Sequence, residues 1–109
     1  MGDISMNPDV FRAWLLAQDE DEVVGTATRA GECPLARFLN EQAAGGERYE
    51  VGEVFYWAYD ASGCSVEAAP LPAWAERFVG LVDRWCGGVP GRAVTRRVAL
   101  RLLDACCAS

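Results

Sequence analysis

The chain of 109 residues has no histidine and no lysine. Without histidine the commonest general base and the commonest metal ligand are missing, which excludes Ser-His-Asp, Cys-His and H-E-x-x-H chemistry. Without lysine a Walker-type phosphate loop cannot be completed, and no G-x-G-x-x-G occurs, so no cofactor is expected. Apolar runs fall far short of the roughly 20 residues of a membrane-spanning helix. The opening "MGDISMNPDV" has neither a basic region nor an apolar stretch, so no secretory leader and a cytoplasmic location are expected. The five cysteines, Cys33, Cys64, Cys86, Cys106 and Cys107, are odd in number and show no C-x-x-C spacing. That argues against a disulfide framework or a zinc site and for reduced thiols.

What is present is enough for a folded domain. About half the residues are apolar, with four Trp, four Phe and three Tyr, so a core can form without disulfide or metal staples. Net charge is −6 and uneven. Residues 1–54 hold eleven acids and four Arg, net −7, while residues 55–109 hold five acids and six Arg, net +1. A single domain over 1–109 is expected, with residues 1–6 a flexible N-terminus.

Asn7 before Pro8 is a helix-start signal. Val10, Phe11, Trp14 and Leu15 follow on one face, for a helix from residue 8 to about 18. The acidic run at 19–22 opposes the dipole at that helix's C-terminus and reads as a stop and an exposed turn. "VVGT" at 23–26 is either a short strand or a loop anchor. A second helix opens at Pro34 with Leu35, Phe38, Leu39 and Ala43 inward and Arg37, Asn40 and Glu41 toward water. It ends at "AAGGE", with Gly45 as a left-handed cap. "RYEVGEVFYWAYD" reads as one strand with Tyr49, Val51, Phe55 and Trp57 facing the core and a bulge at Gly52 and Glu53. After the "DASG" turn, residues 64–68 return antiparallel. "APLPAW" opens a third helix, whose Trp74, Phe78, Leu81, Val82 and Trp85 give the strongest helical period. A last helix covers residues 93–107, with Val98, Ala99, Leu102, Ala105 and Cys106 inward. The predicted class is α+β: four helices with one antiparallel hairpin, and a third short strand if residues 23–26 join it.

Four features invite a functional reading. Cys33 precedes Pro34 at a helix start, where dipole and free N–H groups favour a thiolate. Yet Ala36 stands where a second Cys would complete C-P-x-C, and Glu32 disfavours the anion. A structural N-capping thiol is the plainer reading. The acids Asp19, Glu20, Asp21 and Glu22 lack the spacing of a calcium loop and read as a solvated surface. Arg92, Arg96, Arg97 and Arg101, with Leu100 and Leu103 in the same arc, give the last helix an Arg/Leu face suited to a protein partner. The alternative is that these Arg pair with the acidic first half. Val54 and Tyr56 form a second apolar surface if Phe55 and Trp57 face the core; such a surface serves strand addition or self-association, or is covered by a loop.

The expected function is a small non-enzymatic protein-binding module: an adaptor, regulatory subunit or inhibitor, including an inhibitor encoded by a phage or mobile element. A thiol-dependent redox protein using Cys33 is the first alternative. A helix-turn-helix nucleic-acid binder using the last helix is the second, and the acidic balance disfavours it.

Overall fold

The computed structural model describes residues 6–43 and 46–107. Helix α1 (Pro8–Leu16) starts as the sequence predicts: the Asn7 side chain accepts from the amides of Asp9 and Val10 at 2.8 and 3.3 Å. Phe11 and Leu15 are buried and Trp14 half-buried, while Val10 turns out to water. Strand β1 (Val23–Thr26) follows. Helix α2 (Pro34–Gln42) is capped by Cys33. The strands β2 (Arg48–Val51), β3 (Phe55–Tyr59) and β4 (Ser65–Pro70) come next. Helix α3 (Ala73–Trp85), strand β5 (Ala93–Thr95) and helix α4 (Arg96–Cys107) complete the order. This is an α+β architecture with four helices and two antiparallel sheets, β1–β5 and β2–β3–β4.

The core forms where three phenylalanines on three helices meet. Phe11 lies 5.0 Å from Phe38 and 5.1 Å from Phe78, the latter edge-on, a geometry aromatic rings favour. Leu15, Leu35, Leu39 and Leu103 are fully buried around them. Trp74 donates its indole N–H to the Met6 carbonyl, 3.2 Å away, so Met6 is held against α3. Residues 1–5 of the expected flexible terminus, and the expected Gly45 cap, lie outside the described residues.

Residues 23–26 do form a strand, but it pairs with β5 rather than the hairpin. The expected last helix therefore starts three residues late, because Ala93–Thr95 is drawn into this pairing. Gly25 is required there. A Cβ on it would lie 2.3 Å from the Pro34 nitrogen, so β1 can cross the start of α2 only without a side chain.

The expected single strand at 48–60 is two strands. Gly52 donates to the Phe55 carbonyl at 2.8 Å, closing a two-residue turn at Glu53 and Val54 where a bulge was expected. Val51 consequently pairs with Tyr56, and residues paired across strands share a face. The turn thus reverses the expected facing of β3. Ala58 is buried and Tyr56 packs on the core, its ring 6.5 Å from Tyr49. Phe55 is 45% exposed, and the Trp57 ring lies over Gly52, where a Cβ would come within 2.8 Å of it.

Two helix faces also differ from expectation. Leu103 is fully buried beside Ala99 and Cys106, whereas Ala105 faces water. The buried stripe of α4 is Ala99, Leu103 and Cys106, with Val98 and Leu102 packed partly buried at its flank. Asn40 does not face water; it bridges α2 to β2, as described next.

Candidate partner-binding surface

The Arg face of α4 is largely engaged within the chain. Arg92 stacks on Trp85, its guanidinium carbon 4.1 Å from the ring centre. Arg97 donates to the Glu20 and Asp21 carboxylates, both at 3.1 Å. Its backbone N–H donates to the Glu20 carbonyl at 3.1 Å, and that of Arg96 to the Glu22 carbonyl at 2.9 Å. The acidic run that stops α1 therefore caps α4, satisfying free amides and placing carboxylates at the positive end of its dipole. The Arg96 side chain is half-buried and Leu100 packs against the core. Arg101 stays exposed, with no ion-pair partner among the described residues. Arg12 of α1 pairs with Asp104 of α4. Of the expected contact face, then, Arg101 alone is exposed and uncommitted, while Leu103 is in the core.

Cys33 is buried, and its Sγ accepts from the Ala36 amide at 3.4 Å. Burial pushes the thiol up to about 11; the amides of Ala36 and Leu35 oppose that rise, and the charge of Asp83 adds to it. It borders a cleft of about 240 Å³ that also takes in Arg29, Gly52, Glu53 and Asp83. The Asp83 carboxyl is itself pushed up by burial and then by Glu53. Carboxylates near a thiol disfavour its anion, so this geometry lends a reactive Cys33 no support. Cys106 and Cys107 bring their sulfurs to 3.7 Å, and burial pushes the Cys106 thiol up to about 12. All five cysteines are free. Among the described residues, no group of three or more acids or cysteines is arranged to hold a metal ion, and no helix is long and apolar enough to cross a membrane.

The three-stranded sheet is different, because its two edges are treated differently. Along β2, Asn40 receives the Tyr49 amide at 2.7 Å and donates back to the Tyr49 carbonyl at 3.2 Å. The Val51 amide donates to the Ala30 carbonyl at 2.8 Å. One asparagine and one loop carbonyl thus close that edge. The bond from Leu71 to the Val54 carbonyl, 2.8 Å, fixes the phase of the other pairing. Hydrogen-bonded pairs alternate along an antiparallel ladder, so Ala69 and Glu67 bond to Tyr56 and Ala58, their register partners. The N–H and C=O groups of Ala68 then point away from the sheet, with no partner among the described residues, whereas Val66 lies in the bulge that shifts the register between Ala58 and Tyr59.

The outer face beside this open edge is apolar. Phe55 pairs with Pro70 and Trp57 with Ala68, and Val66, in the bulge next along β4, is 59% exposed. Val54, an expected contact residue, is 47% exposed in the turn; Tyr56, its expected companion, is turned inward. Sequence reasoning missed Phe55, Val66 and Ala68. The composition of "SVEAAP" held a signal: with one large apolar residue in six, neither face of β4 can be buried, the mark of an edge strand.

Compared with known proteins, the chain matches no family model, no curated protein and no solved structure. The reading of its function therefore rests on this geometry.

Proposed function

We propose that this chain is a small non-enzymatic protein-binding module of the cytoplasm, acting as an adaptor, regulatory subunit or inhibitor. Its partner is received on the outer face of the β2–β3–β4 sheet. One observation supports the reading: Phe55, Ala68 and Pro70, with exposed Val66 beside them, form an apolar face on an edge strand where the outward N–H and C=O groups of Ala68 have no partner among the described residues. Exposed apolar surface next to an unpaired strand edge is the usual mark of an interaction site. The Arg side of α4, the other contact expected from sequence, is mostly committed to Trp85 and to the acidic run.

Affinity capture with crosslinking, from the source cell, tests this reading. Two variants are compared with the native chain: Phe55→Asp/Val66→Asp on the sheet, and Arg96→Glu/Arg101→Glu on α4. The sheet variant is expected to lose a specific partner that the α4 variant retains. The opposite pattern would move the contact to α4. Loss of no partner by either variant would contradict both surfaces.

A further inference from the structure

Resting on the reading above, we infer that the sheet face receives a proline-rich segment in the polyproline II conformation, with an arginine at one end, across the side chains of Phe55, Trp57 and Tyr59. The register sets these three in a row. Tyr49 and Val51 face the core, and their partners Ala58 and Tyr56 face it with them. Residues 55, 57 and 59 therefore share the outer face. Alternate residues of a strand lie about 6.8 Å apart, so the row spans about 14 Å, the length of four to five polyproline II residues. Phe55 is exposed, and Trp57 and Tyr59 are half-buried. The sheet's ring contact among the described residues, Tyr49 with Tyr56, lies on the other face. Trp57 is held in place, because the far edge of its indole rests on Gly52, where a Cβ would come within 2.8 Å. Neither the Trp57 indole N–H nor the Tyr59 hydroxyl has a partner among the described residues. A polyproline II segment supplies what both lack, since its carbonyls take no internal hydrogen bond. Aromatic-lined surfaces take such segments because their backbone is ordered before binding.

Charge places the arginine and decides against other occupants. Glu50 stands directly across from Trp57 and has no ion-pair partner among the described residues. Glu53, in the adjoining turn, adds to the negative field at that end. At the other end Arg48 stands across from Tyr59. A guanidinium is therefore drawn to the Phe55–Trp57 end, where it stacks on the indole while meeting the Glu50 carboxylate. The sheet segment, residues 46–70, carries Glu47, Glu50, Glu53, Asp60 and Glu67 against Arg48 alone, a net charge of −4. That field repels both the phosphates of a nucleic acid and a second copy of the same face. A sugar polymer also suits a row of rings. On the β4 side of Phe55 and Trp57, however, stand Pro70 and Ala68, which carry no polar side chain for its hydroxyls.

The test titrates the intact, isotope-labelled protein with short end-capped peptides, read by NMR at the Trp57 indole N–H and the Phe55 and Tyr59 rings. The probes are an oligoproline ended by Arg, the same peptide ended by Glu, and an Arg-ended Gly/Ser peptide of equal length. A glucose oligomer and a single-stranded thymidine oligomer are titrated beside them. The Arg-ended oligoproline is expected to shift all three side chains together and saturably. Exchanging its Arg for Glu is expected to weaken binding about threefold to tenfold. The Gly/Ser peptide, flexible and without rings to pack, is expected to bind about tenfold more weakly or worse. Glu50→Gln is expected to remove most of the preference for Arg over Glu. Trp57→Phe, which keeps a ring and loses the N–H, is expected to weaken the oligoproline about threefold or more with the backbone spectrum otherwise native. Equal binding of the Arg-ended and Glu-ended peptides, or of the proline and Gly/Ser peptides, would overturn the inference. So would shifts confined to the acidic turn at residues 19–22. A response to the glucose or thymidine oligomer and to no peptide would overturn it in favour of that ligand. No response to any probe would also overturn it, and the lysate capture above then decides the sheet-face reading independently.

Discussion

The two edges of one small sheet show what folding requires and what it leaves over. At β2, the Tyr49 amide and carbonyl are both taken by Asn40, and the Val51 amide by Ala30. Tyr49 and Val51 are buried residues, so each of these groups left unpaired would cost about 1–3 kcal/mol. At β4 water can reach the equivalent groups, so leaving them unpaired costs the fold little. The closed edge belongs to the core; the open edge is free for a partner.

The sharpest way to break the comparison is to truncate one phenylalanine on each side. Phe38, 2% exposed on α2, and Phe55, 45% exposed on β3, are chemically identical. Phe38→Ala should lose about 3–5 kcal/mol in urea unfolding. Phe55→Ala should lose about 1 kcal/mol or less, since little burial is removed. Equal losses would place the outer sheet face in the core. Thiol labelling comes next in size. Cys64, just before β4, and Cys107 are exposed, whereas Cys33, Cys86 and Cys106 are buried. Two of the five thiols should therefore react quickly with a disulfide reagent at neutral pH. With its thiol pushed up to about 11, Cys33 should react at least about 10²-fold more slowly than a free thiol. Fast labelling of Cys33 would restore the redox reading.

Asn40→Ala should cost about 2 kcal/mol, because it strips the Tyr49 N–H and C=O of their shared partner. It should also raise amide exchange at Tyr49 while leaving Val66 unchanged. The smallest effect is at the turn that launches β4. Asp60 accepts from the Ser62 hydroxyl at 2.6 Å and amide at 2.9 Å, and from the Cys64 amide at 3.0 Å. These bonds hold its carboxyl below the ordinary carboxylate range, the Ser62 hydroxyl contributing most. A carboxyl lowered in the folded state adds stability above its unfolded pKa, and that stability is lost as pH falls through the folded value. The native chain should therefore lose stability below about pH 4, more steeply than Asp60→Asn does. Matching acid limbs would remove Asp60 from the account.

How far the sequence revealed this depended on whether a signal was local. Asn7–Pro8, Cys33–Pro34 and the apolar period from Trp74 to Trp85 are local, and each marks a helix the structure contains. The hairpin was harder. Glu53–Val54 carries no glycine or asparagine turn signal, and one unrecognised two-residue turn reverses every later side chain on the strand. That error moved Phe55 from the surface to the core and Tyr56 the other way. The pairing of β1 with β5 joins residues some seventy positions apart, and no local pattern reports such a contact. The acidic run read correctly as the end of α1, but its hold on the start of α4 depends on the tertiary fold. Asn40 looked like an ordinary solvent-facing helix residue because its role exists only once β2 is in place.

Hydrogen exchange of the free protein, followed residue by residue at two protein concentrations, tests the central claim most directly. The account predicts that the amides of Tyr49 and Val51 exchange slowly, near the rate set by global unfolding, while that of Ala68 exchanges nearly as fast as in an unfolded chain at both concentrations. Equal protection along the two edges would contradict it.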